Sequence, residues 1–367
     1  MVVQRDASNQ AAVQIAGSYN QAVDLVEARV VARVAGQGTN TNWTTLQVNP
    51  LNGQFNGTIQ VKGGWYKIQV RGSLLGTIVA SDSVDRFGVG EVFAIMGHSN
   101  AQGSSCIING QNHCPTIGGA VDERVNVVGI DQRSTTTAQY LNTAETRYLP
   151  GLAFSQLLLK SGSSPFGDIP WLWGHMGDEL VSRINVPVLL YNAGFGGTTM
   201  EITYKAAYNI PFEHGFCRYD LRMPFVNIRN VMNLYVPTTG IRAVLILHGE
   251  NDRGNPQDST YKYYTKVIDK MRSEFNMPNL ACIVAISSYT GARFENVRAA
   301  QFRVINQPNY KAFMGPDLDN VYTLEDRPDG AHYSPTGQVK VGDAWAIAIH
   351  NVYASISPYP GLREPLA

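Results

Sequence analysis

Four short polar blocks hold the residue types from which an acyl-transfer site is built. The first, Gly97-His98-Ser99-Asn100, ends the apolar run Glu91 to Met96. A serine placed where a buried strand turns into a helix is lifted into the crevice beyond the sheet, its own backbone N–H facing the same way. The same position also suits a serine that only caps a helix, so the other blocks decide. The second, Gly194-Phe195-Gly196-Gly197-Thr198-Thr199, lets backbone N–H groups approach a ligand oxygen. It is not a dinucleotide fingerprint, because Thr199 stands where the last glycine belongs. The third is His248-Gly249-Glu250-Asn251-Asp252. The Asn251 amide can donate to a developing oxyanion, although Asn251 or Asp252 would equally serve in an Asx turn. In the fourth, Asp329-Gly330-Ala331-His332, the spacing lets a carboxylate accept the Nδ1 proton and leaves Nε2 free to act as a base.

In this order the blocks resemble the SGNH hydrolase superfamily, and more closely its carbohydrate acetylesterase branch, over residues 89–355. The branch's G-Q-S-N becomes Gly97-His98-Ser99-Asn100, with His98 in place of glutamine; Gly196-Gly197-Thr198 matches the second block. The third block lacks the glutamine of Q-G-E-S-D, His248 standing there, but satisfies the superfamily's G-x-N-D; Asp329 and His332 match D-x-x-H. The resemblance implies a three-layer α/β/α, flavodoxin-like domain with a parallel sheet. It also implies a serine esterase that removes O-acetyl groups from carbohydrate through an acetyl-enzyme, without metal or cofactor. Ser99 is then the nucleophile, His332 the base and Asp329 its orienting acid, with Glu250 a second acid that the resemblance implies can help. The Ser99 N–H, the N–H of Gly196 or Gly197, and Asn251 form the oxyanion hole. The partner is an acetylated oligo- or polysaccharide, for which Trp171, Trp173 and Tyr333 offer stacking faces, and Phe195 is expected to shorten the acyl pocket.

Residue 101 is alanine, which excludes the G-x-S-x-G elbow of α/β-hydrolases. A glycosidase using Glu201, Glu250 or Asp252 leaves the serine and D-x-x-H unexplained. A non-catalytic glycan-binding protein would require loss of a triad member, and Ser99 and His332 are both present. An SGNH esterase or lipase acting on other esters is the remaining alternative.

These residues need a scaffold. Residues 1–88 read as a small all-β, sandwich-like domain, with runs Ala28 to Ala35, Gly57 to Val61 and Trp65 to Val70 between turn clusters. Residues 89–367 read as the catalytic α/β domain, with continuous apolar strands at Glu91 to Met96, Val186 to Asn192, Arg242 to His248 and Ala281 to Ile286. Helices are expected over Ser259 to Phe275 and from Ser334 as N-cap, with Val341, Trp345, Ala348 and Val352 inward. The polar stretch 101–150 reads as a long functional connection.

Composition excludes other classes. Lysine plus arginine and aspartate plus glutamate number 29 each, which removes the basic footprint of a nucleic-acid or anionic-membrane binder. No apolar run approaches the ~18 residues of a membrane span. The start, MVVQRDASNQ, carries no apolar leader, so either the protein stays inside the cell or a leader has been removed; we expect the latter and a secreted or periplasmic location. Of four cysteines, Cys106 and Cys114 lie in a polar loop where a disulfide forms if the compartment is oxidising. Cys282 reads as packing, and Cys217 carries no signal. Oligomeric state is not encoded in any recognisable pattern.

Overall fold

The structure is a computed structural model describing residues 1–130, 135–167 and 169–361. Up to Gly97 the chain forms strands only: β1 (Val2–Gln4), β2 (Gln10–Ser18), β3 (Leu25–Ala32), β4 (Thr44–Val48), β5 (Gln54–Lys62), β6 (Gly64–Leu74) and β7 (Thr77–Gly97). Strands β2 and β5 pair antiparallel, as do β3 with β4, β3 with β6, and β6 with β7. Alternate side chains of a strand share a face. Accordingly Val13 and Ile15, Ala28 and Val30, Ile59 and Val61, and Tyr66 and Ile68 meet in one cluster with Phe87.

Strand β7 is 21 residues long, exposed or half-buried as far as Arg86 and buried throughout from Phe87. The compositional change at residues 88 and 89 therefore falls inside one continuous strand, not in a linker. Beyond it come the hairpin β8 (Ile107–Ile108) and β9 (Gln111–Asn112), then β10 (Val125–Ile130), β11 (Phe154–Gln156), β12 (Gly162–Ser163), β13 (Val188–Asn192), β14 (Ala243–Leu247), β15 (Ala281–Ile286) and β16 (Ala312–Asp317). In the large sheet β10, β13, β7, β14, β15 and β16 lie side by side, all parallel, while β11 and β12 run antiparallel to β10. The sheet is mixed and mainly parallel.

Both its faces are covered, which is why its strands read as unbroken apolar runs. Phe93 and Ile95 pack with Met176 and Leu180 of helix Trp173–Ile184 and Val341 and Trp345 of helix Pro335–Val352. Val92, Ala94 and Met96 face the opposite way, toward Met200, Phe225, Tyr264, Val267 and Met271 from helices Met200–Ala207, Phe225–Asn230 and Gln257–Glu274. Where β7 enters the parallel sheet, opposite Val188 of β13, buried Glu91 is held by Arg5 at 2.6 Å and by Arg242 at 2.6 and 2.8 Å. A buried carboxylate persists only when so paired, and here the pairing ties the first residues of the chain to the sheet.

The expected elements differ in detail for identifiable reasons. Strand β13 starts at Val188 rather than Val186 because Pro187 has no N–H to give a ladder. Ser334 caps the last helix through Gly337 N–H at 3.2 Å, as expected, but the buried stripe runs through Val341, Trp345 and Ile349, with Ala348 only half-buried. Strand β10 lies within the stretch read as a connection, and residues 131–134 of that stretch lie outside the described residues. Strand β16 was also unexpected, since Gly315 and Pro316 lie inside it.

Candidate active site

The chain leaves β7 toward β10 and β13 on one side and later returns as β14 on the other, which opens a crevice at the carboxyl ends of β7 and β14. Gly97 pairs with Leu247 there, and a Cβ on it would lie 1.8 Å from the Leu247 carbonyl oxygen, so only glycine fits. The next residues form a single helical turn, Ser99–Gln102, whose N-cap is His98: its Nδ1 accepts the Asn100 N–H at 3.4 Å. Ser99 is therefore the first residue of the turn rather than its cap, and its N–H has no intrahelical acceptor.

Side chains from elsewhere hold this turn. Trp171 Nε1 donates to Asn100 O at 3.0 Å, Trp173 Nε1 to Ala101 O at 2.7 Å, and Asn192 Nδ2 to the same oxygen at 2.8 Å. Both tryptophans are fully buried, as is Tyr333, whose hydroxyl accepts from Arg327 at 3.0 Å. None of the three presents a face to a sugar. They are supports of the serine turn and its surroundings, correcting the expectation of stacking platforms.

His332 reaches Ser99 from the loop before the last helix. Its Nε2 lies 2.8 Å from Ser99 Oγ and its Nδ1 lies 2.6 Å from Asp329 Oδ2. The other Asp329 oxygen accepts the backbone N–H groups of Ala331 at 2.9 Å and His332 at 2.7 Å, so the loop closes on its own carboxylate. Partial burial pushes the Asp329 carboxyl up, but the His332 ring and these N–H groups outweigh it and hold the carboxyl at about 2.

Glu250 is placed differently. Its Oε2 lies 2.6 Å from His98 Nε2, and its Oε1 accepts from Asn100 Nδ2 at 3.0 Å and Arg327 Nη1 at 3.4 Å. It makes no hydrogen bond to His332. Burial alone would raise this carboxyl; the neighbouring His98, its hydrogen bond and the Arg327 charge together carry it below the usual carboxylate range. Beside it His248, also buried, has its Nδ1 3.2 Å from Asp252 Oδ2, and neither ring nitrogen makes a hydrogen bond.

The glycine block lies against the serine. A Cβ on Gly196 would sit 3.5 Å from Ser99 Cβ, and the Gly196 N–H donates to Gln102 Oε1 at 2.6 Å. Gly197 takes φ +73°, a conformation natural to glycine, with the half-exposed Phe216 ring packed over it. Asn251 Nδ2 donates to Thr198 O at 2.9 Å, which fastens the third block to the second and leaves its other amide hydrogen. Phe195 is buried in a stack between Phe166 and Phe216, in a separate small cluster with Tyr140 and Met223. Its ring is a packing element. The acids of the glycosidase alternative are engaged separately: Glu201 pairs with Lys205 at 2.7 Å, and Asp252 accepts the Met200 N–H at 2.9 Å.

Reasoning from the sequence missed the contacts of Gln102 with Gly196, of Arg327 with Glu250 and of His98 with Glu250. Only His98, as a departure within its block, carried a signal. Cys106 and Cys114 are joined in a disulfide, while Cys217 and Cys282 are free and buried. Among the described residues one group has metal-ligand composition, His175, Glu179 and Asp343, with ligand atoms within 4.8 Å of one another; His175 bonds Asp343 directly at 2.7 Å. A cavity of about 1050 Å³ lies among β2, β5, β6 and β7, lined by residues such as Val13, Ile15, Phe55 and Ile68; Ser99, Glu250, Asp329 and His332 do not line it. Among the described residues no helix is long and apolar enough to cross a membrane.

Residues 180–351, which contain Glu250, Asn251, Asp329 and His332 but not Ser99, match the SASA family, described as carbohydrate esterase, sialic acid-specific acetylesterase. Over those residues, just under half of the chain, the protein is similar to this carbohydrate esterase family, and it is a carboxylic ester hydrolase. No curated protein matches the chain. Among solved structures it is similar to a carbohydrate acetylesterase from Xanthomonas citri, at 14% identity and a TM-score of 0.47 over 96% of this chain and 73% of that one. It is similar also to a protein from Arabidopsis thaliana, at 15% identity and a TM-score of 0.45 over 72% of this chain and 98% of that one. An acetyl xylan esterase from the rumen bacterium Butyrivibrio proteoclasticus shares 10% identity, with a TM-score of 0.34 over 93% of this chain and 87% of that one.

Proposed function

We propose that the protein is a serine esterase that removes O-acetyl groups from an acetylated oligo- or polysaccharide through an acetyl-enzyme. The observation that carries the proposal is the chain of contacts from Ser99 Oγ to His332 Nε2 at 2.8 Å and from His332 Nδ1 to Asp329 at 2.6 Å, at the carboxyl edge of a mainly parallel sheet. His332 takes the Ser99 proton as Oγ attacks the acetyl carbonyl, and Asp329 keeps the imidazole in the tautomer whose Nε2 can accept it. The oxyanion is met by the Ser99 N–H and the second amide hydrogen of Asn251. Gly196 joins them when its N–H exchanges the Gln102 carbonyl for the oxyanion, and Gly197 is the alternative donor. His332 returns the proton to the leaving sugar oxygen, and water, activated by the same imidazole, frees acetate.

The name of the matching family supports a glycan ester as substrate, sialic acid esters among the first to test. Half-exposed Phe216 above Gly197 offers an apolar face beside the site. The α/β portion is then a three-layer SGNH domain over residues 89–367, preceded by a sandwich-like β unit over residues 1–88. The Cys106–Cys114 disulfide supports an oxidising, secreted or periplasmic location.

The test is acetate release across acetylated glycans by wild type and Ser99→Ala. Loss of the nucleophile is expected to lower turnover by up to ~10⁶ with the fold intact. Near-normal turnover by Ser99→Ala would remove the serine from the mechanism, and release of reducing sugar instead of acetate would replace the esterase with a glycosidase.

A further inference from the structure

Ser99 Oγ has a second imidazole beside it. His98 Nδ1 lies 3.5 Å from it, on the floor of the site, and the far nitrogen of that ring is held by Glu250 at 2.6 Å. The arrangement repeats, from below and fully buried, the histidine–carboxylate pairing that His332 and Asp329 make from the crevice side. Glu250 is itself fixed by Asn100 Nδ2 and Arg327, so it has no freedom to leave His98. With the Nε2 hydrogen directed at this carboxylate, the Nδ1 lone pair faces Ser99 Oγ and the Asn100 N–H. Two of the positions where this chain departs from the branch's motifs, His98 and His248, meet edge to face with ring centroids 5.1 Å apart. The departure alters chemistry. Glutamine can donate to a carboxylate and accept a hydrogen bond, but it cannot take a proton.

We propose that His98, oriented by Glu250, is a second proton acceptor for Ser99. The inference rests on the reading of Ser99 as nucleophile. In acylation through this route the Ser99 O–H bond breaks and its proton passes to His98 Nδ1, while Oγ bonds to the acyl carbon. The bond from that carbon to the leaving oxygen then breaks, and the electron pair departs with the oxygen. The imidazolium stays beneath the serine, opposite the Glu250 carboxylate. Because His98 is buried, it cannot hand the proton to a sugar oxygen. This route therefore serves leaving groups that depart as stable anions, and His332 remains necessary for sugar alkoxides.

The experiment is a single-turnover burst with 4-nitrophenyl acetate, whose phenolate leaves without a proton, run on Ser99→Ala, His332→Ala, His332→Ala/His98→Gln and His332→Ala/Glu250→Gln. The expected result is a burst from His332→Ala well above the Ser99→Ala floor, lowered ~10-fold or more by His98→Gln, and no release of acetate from an acetylated sugar. Glu250→Gln should lower the same burst; it carries the test if the His98→Gln double variant melts early. A His332→Ala burst equal to the Ser99→Ala floor, or one indifferent to both floor substitutions, overturns the inference and leaves the nucleophile in place. A full burst from Ser99→Ala overturns the nucleophile instead.

Discussion

Two histidine–carboxylate pairs flank one serine, and they are built by opposite means. Asp329 and His332 are three residues apart on an exposed loop that folds onto its own carboxylate, each with about a quarter of its side chain exposed. Glu250 and His98 come from different strand ends 152 residues apart and are both buried, their side chains only 2% exposed. The first pair is local and open to solvent. The second is assembled by the sheet and sealed, so its energetics are dominated by desolvation and must be satisfied all round: Asn100 and Arg327 take up what His98 leaves. Proximity in sequence produced the accessible pair, and topology produced the buried one.

The comparison breaks most sharply at the acids. Asp329→Asn should lower turnover on an acetyl ester by ~10⁴, the loss seen when a sole orienting carboxylate is amidated in the worked serine-protease template. Glu250→Gln should cost much less turnover, because Glu250 does not touch His332. A near-silent Asp329→Asn beside a crippled Glu250→Gln would reverse the roles of the two pairs. Next in size is Asn251→Ala, expected to lower turnover ~10² to 10³ with little change in KM, as for removal of one oxyanion donor. A rise in KM alone would make the residue a tether for Thr198.

Stability should show the opposite ranking. Glu250→Gln is expected to destabilise by ~3 kcal/mol at neutral pH, since it removes the buried carboxylate that pairs with Arg327 and His98. The folded-state carboxyl lies below its unfolded value of ~4.3. The stabilisation it contributes is therefore present above that value and lost as pH falls through the lower, folded one. Denaturant unfolding of wild type and Glu250→Gln should differ at pH 7 and converge toward strongly acid pH. A gap that persists unchanged at low pH would show that shape, not charge, is what Glu250 supplies. The smallest effect is expected away from both pairs: Cys106→Ser/Cys114→Ser should lower stability by ~2 kcal/mol for so short a loop, with the Ser99 burst retained. Loss of the burst would tie the β8–β9 hairpin to the serine turn.

What the sequence determined by itself is local. The serine after an apolar run, the G-G-T loop, Asn251, and an aspartate three residues before a histidine are short-range patterns, and short-range geometry suffices to make them chemically meaningful. The carboxyl-end location of three of these blocks was legible for the same reason, because buried parallel strands are continuous apolar runs that stop at polar turns. Only the tertiary structure decided which groups meet across the sheet. It put Glu250 under His98 rather than beside His332, turned Trp171 and Trp173 from sugar platforms into props of the serine turn, and placed the Gln102 carbonyl on Gly196. Strand β10 escaped notice because its pairing with β13, not its six-residue pattern, makes it a strand. Such contacts depend on strand order and on which buried polar group must satisfy which, and neither is written in the spacing of residues along one segment.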